Sequence, residues 1–261
     1  MRVTDLQVLE PAAIIEIFNA RLDDRDALLA FDADGTLWSG DVSDDVFLSA
    51  CEDQWLLDAA RPVLVREAER AGLVVRGTAS DLALALFEAQ KSGAIAEVDL
   101  FALMALCYAG HTLETLTRYA ANVLTRKRIT DRIRPEALDV LDWAKRHGVH
   151  CFVVSASPSP IVTWAAAHWG FDPGQVIGTM PRVLDRVIMP EIVGAVPFGA
   201  DKCKLLKSRA GGMRWLASFG DSEFDLDMLT EAEIAVGVYP KPNLLARLSS
   251  LSHAIVMRAM Q

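Results

Sequence analysis

Four aspartates, a serine and a lysine stand where this sequence could do chemistry. Asp32 and Asp34 lie one residue apart in Phe31-Asp32-Ala33-Asp34-Gly35-Thr36. Two close carboxylates repel unless a cation sits between them, which points to a hard divalent metal such as Mg²⁺. The pair reads equally as a turn, because Asp-Gly after a strand is ordinary turn chemistry. Asp221 and Asp225, in Gly220-Asp221-Ser222-Glu223-Phe224-Asp225, flank the start of a helix. Asp221 can face a metal there while Asp225 braces the loop, although acids at a helix start also simply complement its dipole. Ser155, Ala156 and Ser157 precede Pro158 and Pro160, and small residues at that point leave backbone N–H groups free to face an anion. A Ser-Ala-Ser triplet also serves as a helix cap. Lys202 falls in the first turn of a further helix, within reach of the same place, in competition with Lys204 and Lys207.

The elements that must position these groups are short apolar runs. Leu28–Phe31, Val149–Val154 and Met213–Phe219 read as buried strands, and each ends at one of the polar clusters. In open α/β sheets ligands bind at the carboxyl edge of the strands. Three such strand ends, taken together, favour a site over three separate turns. A helix from about Glu10 to Leu22 leads into the first strand, with Ile14, Ile15, Phe18 and Leu22 at helical spacing. Asp23, Asp24 and Asp26 read as a solvated loop. Between Gly40 and Arg128 the apolar spacing is helical throughout, and Gly72, Gly77, Gly93 and Gly110 divide this insertion into four or five helices, the last from Thr112 to Leu124. The run from Phe101 to Leu106 reads as helix core. Arg126, Lys127, Arg128, Arg132 and Arg134 form either a solvated hinge or a rim that attracts phosphate. A helix from Pro135 to His147 stops at Gly148, another runs from Ile161 to Trp169, and Val176–Val193 suggests a hairpin.

Composition bounds the rest. The chain has 261 residues, 52% hydrophobic and 23% charged, so it is globular and long enough for a core with an insertion. A formal charge of −9 argues against a general basic surface for nucleic acid. Cys51, Cys107, Cys151 and Cys203 form no metal-type pair and are expected to be reduced thiols, which suits the cytoplasm. Met1–Leu9 lacks the basic flank and apolar core of a signal peptide, and no apolar run reaches membrane-spanning length. No Gly-rich stretch ending in Gly-Lys-Ser or Gly-Lys-Thr follows a strand, which sets aside a phosphate-loop nucleotide site.

With Asp32-Ala33-Asp34-Gly35-Thr36, Ser155, Lys202 and Gly220-Asp221-Ser222-Glu223-Phe224-Asp225 in this order, the chain resembles the haloacid dehalogenase superfamily, and within it the phosphoserine-phosphatase-like branch. The resemblance implies an α/β fold: a doubly wound, Rossmann-like parallel sheet as catalytic core (residues 1–38 and 130–261) with an all-helical cap domain inserted (residues 39–129). It also implies an Mg²⁺-dependent phosphatase acting on a small phosphomonoester. Asp32 would be the nucleophile and form an aspartyl-phosphate; Asp34 would be the general acid and base. Asp32, the carbonyl of Asp34 and Asp221 would hold Mg²⁺, with Asp225 behind them. Ser155, Ala156 and Lys202 would bind the phosphoryl oxygens. Asp41 falls where phosphoserine phosphatases keep an acid that meets the substrate's amino group, though theirs is Glu, and it equally reads as the start of a helix with Asp44 and Asp45. An amine-bearing substrate of the phosphoserine, phosphoethanolamine or phosphocholine type follows if it binds substrate, with Trp38 and Trp55 as an aromatic wall. Transfer of the phosphoryl group to a small alcohol, and a non-catalytic phosphate-binding or interaction protein, are the alternatives.

Overall fold

A computed structural model describes residues 6–259; the first five residues, on which the signal-peptide expectation partly rests, lie outside them. β2 (Ala27–Phe31) is apolar at every position and buried at every position, as a strand covered on both faces must be. It pairs in parallel with β3 (His150–Pro158) on one side and β6 (Arg214–Gly220) on the other. The three strands that end in polar clusters are therefore neighbours. The sheet continues through β7 (Ile234–Val238), β8 (Ala254–Met257) and β1 (Gln7–Leu9) beyond β6, and through β4 (Val176–Leu184) and β5 (Val187–Val193) beyond β3. Its order is β1-β8-β7-β6-β2-β3-β4-β5, parallel except where β5 returns against β4. The connections reverse direction on either side of β2, and a crevice opens at the carboxyl ends where they do.

Helices α1 (Pro11–Arg21), α7 (Pro135–Arg146), α8 (Ser159–Ala166), α9 (Ala200–Ala210), α10 (Leu226–Glu231) and α11 (Pro242–Leu248) flank the sheet, the α/β class expected. Phe31 stacks on Phe219 at 4.3 Å between ring centroids, and Phe18 meets Trp143 at 5.2 Å beneath them. Between β2 and β3 come α2 (Val42–Glu52), α3 (Arg61–Arg70), α4 (Ala79–Lys91), α5 (Glu97–Leu106) and α6 (Leu113–Arg126). Their apolar faces, including Val46, Phe47, Leu64, Leu86 and Leu116, join the same hydrophobic cluster as Phe31 and Phe219. The loop before α6 is also tied to the β4–β5 hairpin, with Gly110 N–H on the Ile188 carbonyl and Ile188 N–H on the His111 carbonyl. Arg132, expected in a hinge or a phosphate rim, instead pairs with Asp45 of α2 at 2.6 Å, and Arg134 lies over the Tyr239 ring. None of the helices among the described residues is long and apolar enough to cross a membrane, and the four cysteines are free and buried.

β3 runs further than its apolar stretch suggests. It includes Ser155-Ala156-Ser157, with an irregularity in its pairing to β4 between Val154 and Pro158. The N–H of Ser157 is taken by Ser155 Oγ at 3.1 Å, so it is not among those free to face an anion.

Candidate active site

The turn after β2 is folded on itself, with Gly35 N–H on the Trp38 carbonyl and Leu37 N–H on the Ala33 carbonyl. Gly35 sits at φ +90°, and a Cβ built on it would lie 2.2 Å from Oδ2 of Asp221. Only glycine gives both the backbone conformation and the clearance that brings the β6 loop against the β2 loop. Gly35→Ala is expected to displace Asp221 and to weaken divalent-metal binding at least about tenfold, measured by calorimetric titration; unchanged affinity would show that this contact is dispensable.

Asp32 follows β2 directly, its N–H bonded to the Phe219 carbonyl at 2.9 Å. Its Oδ1 takes the ammonium of Lys202 at 2.6 Å and its Oδ2 the Thr36 hydroxyl at 3.1 Å. Lys202, buried in the first turn of α9, also reaches Oδ1 of Asp225 at 2.6 Å. The second oxygen of Asp225 accepts the N–H groups of Asp221 and Ser222 at 3.1 and 3.0 Å and the Ser222 hydroxyl at 3.3 Å. Both oxygens of Asp225 are thus spent on the β6 loop and the lysine. Lys204 and Lys207 point elsewhere, to Asp201 and Glu231.

Asp34 has a different shell. Its Oδ1 accepts from the Trp38 indole N–H and the Val42 N–H, both at 2.8 Å, and its Oδ2 from Ser157 at 2.7 Å and Ser155 at 3.5 Å. Burial, then the nearby charge of Asp41, push its carboxyl up to about 7, against those hydrogen bonds. Burial and the neighbouring Asp225 raise Asp32, with Lys202 opposing, and burial raises Asp221, with Lys241 opposing from 3.0 Å. Burial alone would lower the Lys202 ammonium; Asp225 and Asp32 outweigh it and hold it raised.

One pocket collects these groups. Asp32, Asp34, Asp41, Ser155, Ala156, Lys202 and Asp221 line it, joined by Ser157, Ser222, Lys241, Glu97 and three phenylalanines, Phe101, Phe198 and Phe224. Asp41 does two things at once: it caps α2, taking the Asp44 N–H on Oδ1 at 2.9 Å, and it faces the pocket. The expected tryptophan wall is not there. Trp38 is fully buried against Trp169, its N–H spent on Asp34, and Trp55 stacks between His111 and Tyr119. The aromatic surface comes from the phenylalanines instead, with Phe198 4.3 Å from Phe224 and 6.1 Å from Phe101 between centroids.

The donor set fits a divalent metal. Asp32, Asp221 and Asp225 each place an oxygen within 4.8 Å of the others, and these are hard ligands. Of the three, Asp32 and Asp221 line the pocket, while Asp225 stands behind them with its oxygens on Lys202 and the β6 loop. Five carboxylates line the pocket against two lysines, and burial, with repulsion from neighbouring carboxylates, raises Asp32, Asp34, Asp221 and Glu97. Acids raised by folding bind protons more tightly in the folded than in the unfolded chain. Their contribution to stability is full below the ordinary carboxylate range and is lost as pH rises through the folded value, about 7 for Asp34. The metal-free protein is expected to lose Tm between pH 5 and roughly 7.5, and a divalent ion at 100 times its Kd to restore about 2.7 kcal/mol at the upper end. A scanning-calorimetry profile flat in pH and blind to metal would contradict this.

No curated protein matches the sequence. Among solved structures, a protein of unknown function from Bordetella pertussis Tohama I superposes with a TM-score of 0.69 at 19% identity, over 90% of this chain and 99% of that one. A probable phosphoserine phosphatase from Vibrio cholerae gives 0.58 at 14% identity, over 88% of this chain and 60% of that one. A phosphoserine phosphatase captured as a phospho-aspartyl intermediate analogue gives 0.55 at 16%, over 91% and 95%. At these identities the likeness is one of fold. A family model of haloacid dehalogenase-like hydrolases matches residues 29–230, most of the sheet and all the motifs named above, and the chain belongs to that family.

Proposed function

We propose that this protein is a phosphatase that hydrolyses a small phosphomonoester through a covalent phosphate on Asp32. The observation that carries the reading is the split between two neighbouring carboxyls: Asp32 is gripped by an ammonium, while Asp34 is held near 7 among hydroxyl, indole and amide hydrogens. A general acid must carry a proton near neutrality, which the burial of Asp34 serves. A nucleophile must be ionised, which the Lys202 ammonium favours against the burial and the Asp225 charge that raise Asp32, and which a divalent ion held there would favour further. Asp32 attacks phosphorus, the ester P–O bond breaks, and Asp34 gives its proton to the departing alkoxide. Asp34 then takes a proton from the water that attacks the phosphorus of the aspartyl-phosphate, which releases phosphate and returns Asp32. Lys202, the Ser155 hydroxyl and the Ala156 N–H receive the phosphoryl oxygens, where negative charge spreads in the transition state. Asp32, Asp221 and the Asp34 carbonyl would hold the metal, for which Mg²⁺ is proposed; once bound it supplies positive charge against the same oxygens. Residues 39–129 serve as the cap over this crevice, contributing Asp41, Glu97 and Phe101 to its wall.

The substrate class proposed is an amine-bearing phosphomonoester. A phosphate dianion adds negative charge to a pocket already rich in carboxylates, and a cationic headgroup between Asp41, Glu97 and the phenylalanine rings offsets it. The test is phosphate release from phosphoserine, phosphoethanolamine, phosphocholine and glycerol phosphate, with and without Mg²⁺. Asp41→Ala is expected to lower kcat/KM on the aminated esters about tenfold more than on glycerol phosphate, the effect of about 1.4 kcal/mol of lost attraction. Equal losses across the panel would remove the amine preference and leave a broad phosphatase; no release from any ester would remove the phosphatase reading.

A further inference from the structure

Four oxygens of the site stand in a row. Asp34 Oδ2, Ser157 Oγ, Ser43 Oγ and Asp41 Oδ1 follow one another at 2.7, 3.1 and 2.6 Å. The row bridges two elements far apart in sequence, since Ser157 belongs to the end of β3 and Ser43 to the first turn of α2. Both serines are 1% exposed, and each gives its one hydroxyl proton to a carboxylate rather than to bulk water, Ser157 to Asp34 and Ser43 to Asp41, with the two hydroxyl oxygens packed 3.1 Å apart. The opposite oxygen of Asp34 is held twice, by Trp38 and by Val42 N–H. Rotation of the Asp34 carboxyl is therefore stopped from both sides, and the hydroxyl row is the stop built from side chains of both the sheet and the insertion.

We propose that Ser43 and Ser157 are positioning residues that work as one unit, fixing Asp34 to face the leaving oxygen and tying its orientation to the Asp41 wall of the pocket. This rests on the phosphatase reading. A carboxyl aimed by neighbours is worth most when the departing group needs its proton, and least when that group leaves readily as an anion. The two serines also act in series, so the first truncation already breaks the link.

The experiment compares kcat and KM for glycerol phosphate, whose alkoxide is a poor leaving group, with those for p-nitrophenyl phosphate, whose phenolate is a good one. Wild type, Ser43→Ala, Ser157→Ala and the double variant are measured side by side. The expected result is a fall in kcat rather than a rise in KM, about tenfold larger on the alkyl ester than on the aryl ester. The double variant is expected to lose no more than Ser157→Ala alone. Equal losses on the two esters, or losses that multiply in the double variant, would overturn the proposal. A crystal structure of Ser157→Ala gives a readout independent of turnover: a rotated Asp34 carboxyl supports the proposal, and an unmoved one overturns it. Should the wild type hydrolyse neither ester, the phosphatase reading falls and that crystal structure alone decides the role of the serines.

Discussion

Asp32→Asn is expected to abolish phosphate release, with a loss on the order of 10⁴-fold or more in kcat, while the fold survives. The amide oxygen can still accept from Lys202, and the amide N–H₂ can donate to Thr36, whose hydroxyl now bonds to the other side of the group. What disappears is the carboxylate oxygen proposed to attack phosphorus. Removing one negative charge from a buried cluster that is short of cations relieves repulsion on Asp225 and Asp221. The Tm of the metal-free variant is therefore expected to equal or exceed that of the wild type near neutral pH. A variant that keeps more than about 1% of the wild-type rate would place the nucleophile elsewhere.

Lys202→Met is expected to be the most destabilising substitution in the site. Its ammonium is the common partner of Asp32 and Asp225 at 2.6 Å each, and all three groups are buried. Breaking a buried ion pair by removing one member costs about 3–5 kcal/mol, because the other charge is left without a partner. For a chain of this size that corresponds to a fall in Tm of roughly 6–20 °C. The sign with pH follows from the cause. With the ammonium gone the pull that opposes the rise of Asp32 is lost and its carboxyl rises further, so the deficit is largest at high pH and shrinks as that carboxyl takes up its proton on acidification. Adding Asp225→Asn to Lys202→Met is expected to recover part of the stability, since one of the two stranded charges is gone, but none of the activity. Calorimetry at pH 5 and pH 8 with a phosphate-release assay checks both statements, and a variant as stable as wild type at pH 8 would mean that the lysine is not the structural counterion.

Much of this was legible from local pattern. β2, β3 and β6 announce themselves because strands buried on both faces have to be apolar at nearly every position, and the acids and serines that end them break that pattern abruptly. The glycines that interrupt the insertion do so for the same local reason, and the breaks fall between the observed helices. Other features depend on tertiary placement. β1, β7 and β8 are three to five residues long and carry no polar terminus that would mark them. Phe101 sits in a helical run whose other members, Leu103 and Met104, are buried, and nothing in the spacing separates the ring that turns into the pocket from those that fill the core. Glu97 and Lys241 arrive from elements about 140 residues apart, one at the start of α5 and the other capping α11. Trp38 has the composition of a ligand wall, but an indole N–H that finds a carboxylate four residues back is better satisfied inside. Ser157 did leave a signal: it is two residues beyond Ser155, on the same side of an extended chain, and a strand reading continued through the triplet puts both hydroxyls toward Asp34.

The measurement that tests the central claim most directly is chemical trapping of the phosphate on the enzyme. The protein is mixed with a phosphomonoester and a divalent metal, quenched in acid during turnover, and treated with borohydride, which reduces an acyl-phosphate to an alcohol. Peptide mass spectrometry is then read at position 32. Homoserine in place of Asp32, absent when substrate is omitted, is the predicted result. Turnover of substrate with Asp32 unreduced, or reduction at a different carboxylate, would contradict the account.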